Sequence, residues 1–108
     1  MKKMTVLLVS VLTVCCVGSV AFAEKASKET GEAEFKEHCA VCHLDGGNII
    51  NPKKTLHKGD REANNIRNEA DIIKTMRKPG PGMTTFDEKT LSDDQAKEVA
   101  KYIFKTFK

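Results

Sequence analysis

Tryptophan is absent from the chain, tyrosine occurs once and phenylalanine five times in 108 residues. Aromatic rings supply much of the apolar area of a small core. A protein this short with so few of them is marginal on its own and needs a staple: disulfides, a metal or a cofactor. Disulfides are nearly excluded by supply. Of the four cysteines, Cys15 and Cys16 lie in the N-terminal apolar run. Cys39 and Cys42 are so close that a bridge between them closes too short a loop to stabilise much. A large charge of one sign is also missing, since 18 basic residues face 15 acidic ones, which excludes a nucleic-acid binder held by net charge. No segment alternates as a strand does, nothing repeats, and no nucleophile–base pair is visible. The length allows one domain.

The first residues stand apart from that domain. Lys2 and Lys3 precede an apolar run from Thr5 to Val20, and Ala21-Phe22-Ala23 forms a small-x-small cleavage signature before Glu24 and Lys25. This is the pattern of a secretory signal peptide over 1–23, leaving a domain over 24–108. The run is shorter than the ~20 residues of a spanning helix, so no stable membrane anchor is expected. A lipoprotein signal at Cys15 fits less well, because Val14 is bulky where such cleavage wants a small residue. The processed protein loses two lysines and no acid, so its charges nearly balance. It is expected in the periplasm.

The remaining pattern is all-α. Residues from Glu29 to Ala40 suit a helix, with Glu29, Glu32 and Glu34 complementing its N-terminal dipole. Gly46-Gly47-Asn48 breaks regular structure, Pro52 delays its return, and a short helical turn is expected after Asp60. Asn68 caps a helix from Glu69 to Arg77 whose inner stripe is Ile72, Ile73 and Met76. Lys78-Pro79-Gly80-Pro81-Gly82 ends it. Ser92 and Gln95 form a capping box for a last helix that turns Ala96, Val99, Ala100, Ile103 and Phe107 inward. Three main helices with long loops between them result.

Cys39-Ala40-Val41-Cys42-His43 supplies the missing staple. In C-x-x-C-H the two thiols add across the two vinyl groups of haem, and the adjacent histidine is held beneath the iron. Two intervening residues set the reach between the vinyls. A thioredoxin-like C-x-x-C would need a βαβ context, and a structural zinc site would need a second ligand pair. One covalently attached haem c, with its iron, is therefore expected at Cys39, Cys42 and His43. An electron carrier keeps both axial positions filled, and a methionine thioether raises the potential. Met83, in the stiff loop Pro79-Gly80-Pro81-Gly82-Met83-Thr84-Thr85-Phe86, is the expected sixth ligand. Met76 competes but reads as core. His57 would give a bis-histidine haem, and His38 reads as solvent-facing. Were Met83 off the iron, the same residues would fit a haem sensor or a small peroxidase-like enzyme. A subunit docked permanently in a larger haem complex is the third reading.

From Gly31 to Phe104 the chain resembles the class I cytochromes c, most closely the small soluble bacterial and photosynthetic c-six type. The likeness rests on Gly31-x-x-x-Phe35-x-x-x-Cys39 and on Cys42-His43 followed by Gly46-Gly47-Asn48 and Lys54-Thr55-Leu56. Gly82-Met83-x-x-Phe86, Leu91-Ser92-x-x-Gln95 and Val99-Ala100-x-Tyr102-Ile103 complete it. Thr84 stands where this group often has proline. The resemblance implies the cytochrome c fold around one haem, with His43 and Met83 as axial ligands. It implies that Gly31 lets the first and last helices meet, with Phe35 and Tyr102 at the crossing. It implies a carbonyl near Pro52 orienting His43 and Leu56 packing on the haem. Such a protein is not an enzyme. It carries single electrons between larger redox proteins as donor and acceptor, is expected to be a monomer, and sits in the thylakoid lumen if the host is photosynthetic. Lys53, Lys54, Lys58, Arg77 and Lys78 either ring the haem edge to steer an acidic partner or are plain solvated surface.

Overall fold

The computed structural model describes residues 30–108. The expected signal peptide lies outside them. The fold is helical, with no strand among the described residues. Helix α1 is seen over 30–38, α2 spans Ala40–His43, α3 Lys58–Ala63, α4 Glu69–Arg77 and α5 Asp93–Thr106, with a 3-10 turn at Leu44–Gly46 after α2. The three expected main helices are thus α1, α4 and α5. The short turn expected after Asp60 is a helix that already begins at Lys58.

Capping follows the sequence closely. The Asn68 side chain accepts from the Asp71 amide at 2.9 Å, opening α4. At the start of α5, Ser92 Oγ accepts from the Gln95 amide at 3.2 Å while Gln95 Oε1 accepts from the Ser92 amide at 2.9 Å. Each such cap is worth about 1 kcal/mol, because it satisfies amides the helix leaves open. Asp93 and Asp94 sit in that first turn against the positive end of the dipole.

The core comprises Phe35, Ile72, Met76, Leu91, Ala96, Val99, Ala100, Ile103 and Phe107. All the inward positions expected on α5 are buried there. So is Met76, as the helix stripe implied, whereas Ile73 is only partly buried against the cluster.

Helices α1 and α5 meet as expected. The Phe35 and Tyr102 rings lie 5.2 Å apart, and Phe35 and Phe107 lie 5.4 Å apart. A Cβ at Gly31 would stand 2.4 Å from the Glu98 carbonyl oxygen, so only glycine permits the approach. Gln95 Nε2 donates to Glu34 Oε1 at 2.7 Å across the same interface.

Candidate functional site

The C-x-x-C-H segment continues the α1 ladder. The amides of Cys39 and His43 donate to Phe35 O and Cys39 O at 2.9 Å each, and that of Cys42 to Cys39 O at 3.1 Å. Helical winding turns both sulfurs and the imidazole toward one cavity of about 490 Å³, whose lining includes Cys39, Cys42 and His43. Leu56, Ile72, Met76, Met83, Phe86 and Ile103 supply apolar wall. Asn51, Lys54, Thr55, Asp60, Arg61 and Asn64 make part of the lining polar.

Both cysteines are free thiols. Burial pushes the Cys39 thiol up to about 11, helped by the nearby Glu34 carboxylate. This sulfur is therefore held as the neutral thiol at neutral pH. His43 Nδ1 lies 2.7 Å from the Gly47 carbonyl oxygen. A carbonyl only accepts, so Nδ1 carries the proton and Nε2 is the free lone pair. The carbonyl that orients His43 is therefore that of Gly47, not one near Pro52. Pro52 is exposed and takes no part in the cavity wall.

The loop beyond the motif is held by Asn48. Its Oδ1 accepts from the Ile50 and Asn51 amides at 2.9 Å each, and its Nδ2 donates to Lys54 O at 2.9 Å. The Leu56 amide donates to Gly46 O at 2.7 Å, which ties the far end of the loop back and leaves Leu56 partly buried in the cavity wall.

Met83 enters from the loop between α4 and α5. Gly82 takes a φ of +88°, a left-handed turn suited to glycine, and Met83 N donates to Gly80 O at 3.4 Å. Phe86 N donates to Met76 O at 2.9 Å, pinning the loop to α4. Arg77 completes the clamp. Its Nη1 donates to Phe86 O at 3.0 Å and Leu91 O at 2.8 Å, and its Nη2 meets Asp93 Oδ1 at 2.8 Å. Arg77 is thus part of the loop's scaffold and not a loose surface charge. Lys54 and Lys78 reach the cavity, while Lys53 and Lys58 are exposed.

The rivals for the iron are placed differently. His57 is exposed, meets Phe107 edge-on with ring centroids 5.8 Å apart, and is no part of the cavity wall. His38 does line the cavity. It is half-buried, pairs with Glu34 at 3.3 Å and meets Phe86 edge-on at 6.0 Å, so it is not the solvent-facing residue expected.

Two thiols and a fixed imidazole nitrogen at one apolar cavity fit a covalently tethered haem, with Met83 and Leu56 in the same wall. The comparisons decide the family. Residues 26–103 match the family described as cytochrome c oxidase, cbb3-type, subunit III, a family of cytochrome c domains. Cytochrome c6 of Cyanidium caldarium is 40% identical over 78 residues, 72% of this chain and 70% of the relative. That of Rippkaea orientalis is 34% identical over 103 residues, 95% and 92% of the two chains. The chain belongs to the class I cytochromes c. Among solved structures, outer-membrane cytochrome F of Geobacter sulfurreducens is 41% identical with a TM-score of 0.70, covering 72% of this chain and 99% of that one. The cytochrome's cofactor is a covalently bound haem c with its iron, and its work is electron transport. No helix among the described residues is long and apolar enough to cross a membrane.

Proposed function

We propose that Cys39 and Cys42 are the thioether anchors, that His43 Nε2 and Met83 Sδ are the two axial ligands, and that the chain works as a carrier and not as an enzyme. The observation behind this is one cavity walled by all four residues, with Met83 on a clamped loop and His43 fixed by Gly47. Bound there, haem supplies an iron that takes up and gives back one electron. The protein's part is to hold both ligands still, so that little rearranges between the two oxidation states. Gly47 orients the imidazole through Nδ1–H, a role expected of the partner of a ligating histidine. Arg77 and the Phe86 amide hold the methionine loop. The apolar wall excludes water, which favours the less charged, reduced state.

Electrons pass at the surface beside the two cysteines. Val41, Leu44, Ile49 and Ile50 are exposed there, at 76%, 68%, 68% and 59%. These apolar side chains offer dry contact to a larger redox protein, donor or acceptor, with Lys54 and Lys78 nearby in the cavity lining. The N-terminal pattern supports export to the periplasm, followed by work as a free monomer.

The test is the optical spectrum of the ferrous, haem-loaded protein with and without carbon monoxide. The wild type is expected to show no change, because Met83 fills the sixth position. Met83→Ala is expected to bind carbon monoxide and to have a lower potential. A wild-type spectrum that shifts at once would move the protein to the sensor or peroxidase class. A Met83→Ala protein with unchanged spectrum and potential would remove Met83 from the iron.

A further inference from the structure

Among the described residues, one further group of metal-ligand donors converges, on α1. Glu34, Glu37 and His38 each offer one such atom, and these atoms all lie within 4.8 Å of one another. The spacing i, i+3, i+4 sets the three side chains on one face of the helix. From His38 Nε2 the distances are 3.3 Å to Glu34 Oε2 and 4.0 Å to Glu37 Oε1. Both exceed the roughly 2.7–3.2 Å of a good N–H···O hydrogen bond. Ligand atoms around a tetrahedral zinc, each about 2.0–2.2 Å from the metal, stand about 3.4 Å apart. The His38–Glu34 pair is already close to that separation.

The three donors are held to different degrees. Glu34 Oε1 accepts from Gln95 Nε2 at 2.7 Å, which ties that carboxylate to α5 and leaves Oε2 for His38. The His38 ring stands edge-on to Phe86. The Glu34 and His38 side chains are 16% and 22% exposed, against 73% for Glu37. Two donors are thus placed by packing, and the third is free to swing onto an ion they hold. Lys36, the lysine of α1, pairs with Glu32 at 2.7 Å instead. Carboxylates alone would favour calcium or magnesium, which take oxygen ligands. The imidazole turns the preference toward zinc and its first-row neighbours, with water completing the shell.

This group adjoins the cofactor. His38 lines the cavity and precedes the Cys39 anchor. Burial, and after it the Glu34 carboxylate, pushes up the Cys39 thiol. Charge at Glu34 is therefore felt at the sulfur that tethers the haem.

We propose that Glu34, Glu37 and His38 bind one divalent transition-metal ion of zinc's class, and that the bound ion raises the potential of the haem beside it. An added positive charge penalises the ferric iron more than the ferrous one. By reciprocity, the ferrous form holds the ion more tightly by the same factor. The binding stands without the haem reading above, and its effect on the iron rests on that reading.

Zinc chloride added to the haem-loaded protein tests this, since zinc has no redox change of its own. Calorimetry is expected to find one zinc per chain, and His38→Ala and Glu37→Gln are each expected to weaken it about tenfold or more. Saturating zinc is expected to favour the ferrous form about threefold at a fixed electrode potential, about 28 mV, and to leave the potential of His38→Ala unmoved. NMR of the ferrous wild type should show the His38 ring nitrogen shifting with zinc while that of His57 stays. No bound zinc, or zinc held equally well by His38→Ala, would overturn the proposal. A His57 shift in place of the His38 one would overturn it on the wild type alone. Zinc bound at His38 with an unmoved potential would overturn its effect on the iron. Failure of the haem reading would look different: the wild-type chain would lack a thioether-haem spectrum before any zinc is added.

Discussion

Asp87 shows how one side chain sets a turn. Its carboxylate accepts the amides of Thr90 at 2.9 Å and Lys89 at 3.0 Å, in the turn that leads to α5. The Thr90 amide, then the Thr90 hydroxyl, holds its pKa below the ordinary 3.8, with Lys89 and Arg77 adding less. A carboxylate depressed by folding stabilises the fold above its unfolded pKa, and that gain fades as pH falls through the folded value. Asp87→Ala is therefore expected to lower the Tm of the haem-loaded protein at neutral pH, with the gap closing below about pH 4. A gap that stays constant with pH would mean the carboxylate's charge is irrelevant. At this scale the sequence was readable where chemistry dictates spacing. Cys39, Cys42 and His43 announce themselves because haem has two vinyls and one proximal position. The Gly47 carbonyl does not, because every residue has a carbonyl and only folding decides which one meets Nδ1. Arg77 was equally hidden, since an arginine that snorkels to solvent and one that clamps a loop are spelled alike.

Among the elements, the methionine loop depends most on a single residue. Arg77 spans the two ends of the segment from α4 to α5, meeting Phe86 O, Leu91 O and Asp93. Hydrogen bonds from a charged donor are worth about 1.5–3 kcal/mol each, and two carbonyls lose theirs together. Arg77→Ala is expected to cost about 3 kcal/mol in denaturant unfolding and to let carbon monoxide displace Met83 slowly from a ferrous iron that the wild type keeps closed. Stability loss without carbon monoxide uptake would mean the loop does not rely on the clamp. Helix α4 and the start of α5 were legible to within a residue because their caps are side chains with a spacing: Asn68 to Asp71 and Ser92 to Gln95. Helices α2 and α3 have no side-chain cap, and they span four and six residues. Segments so short form only by packing, so they leave little trace in local sequence.

For the molecule as a whole, the crossing of α1 and α5 is decisive. A methyl at Gly31 meets backbone, which cannot swing aside, whereas one at Gly59 in α3 meets nothing within 4 Å. Gly31→Ala is expected to lose about 2 kcal/mol by forcing the helices apart. Gly59→Ala is expected to gain about 0.5 kcal/mol, as alanine usually does in a helix. Equal Tm changes for the two would show that the crossing tolerates separation. The crossing has a consequence in time as well as in energy. The Glu34–Gln95 bond joins residues 61 apart, and Arg61 reaches a carbonyl 46 residues further on. Pairings of such range wait for the last helix, and closing them is slow compared with local helix formation. During that interval Cys39, which the finished fold half-buries, is more open to solvent than in the folded chain.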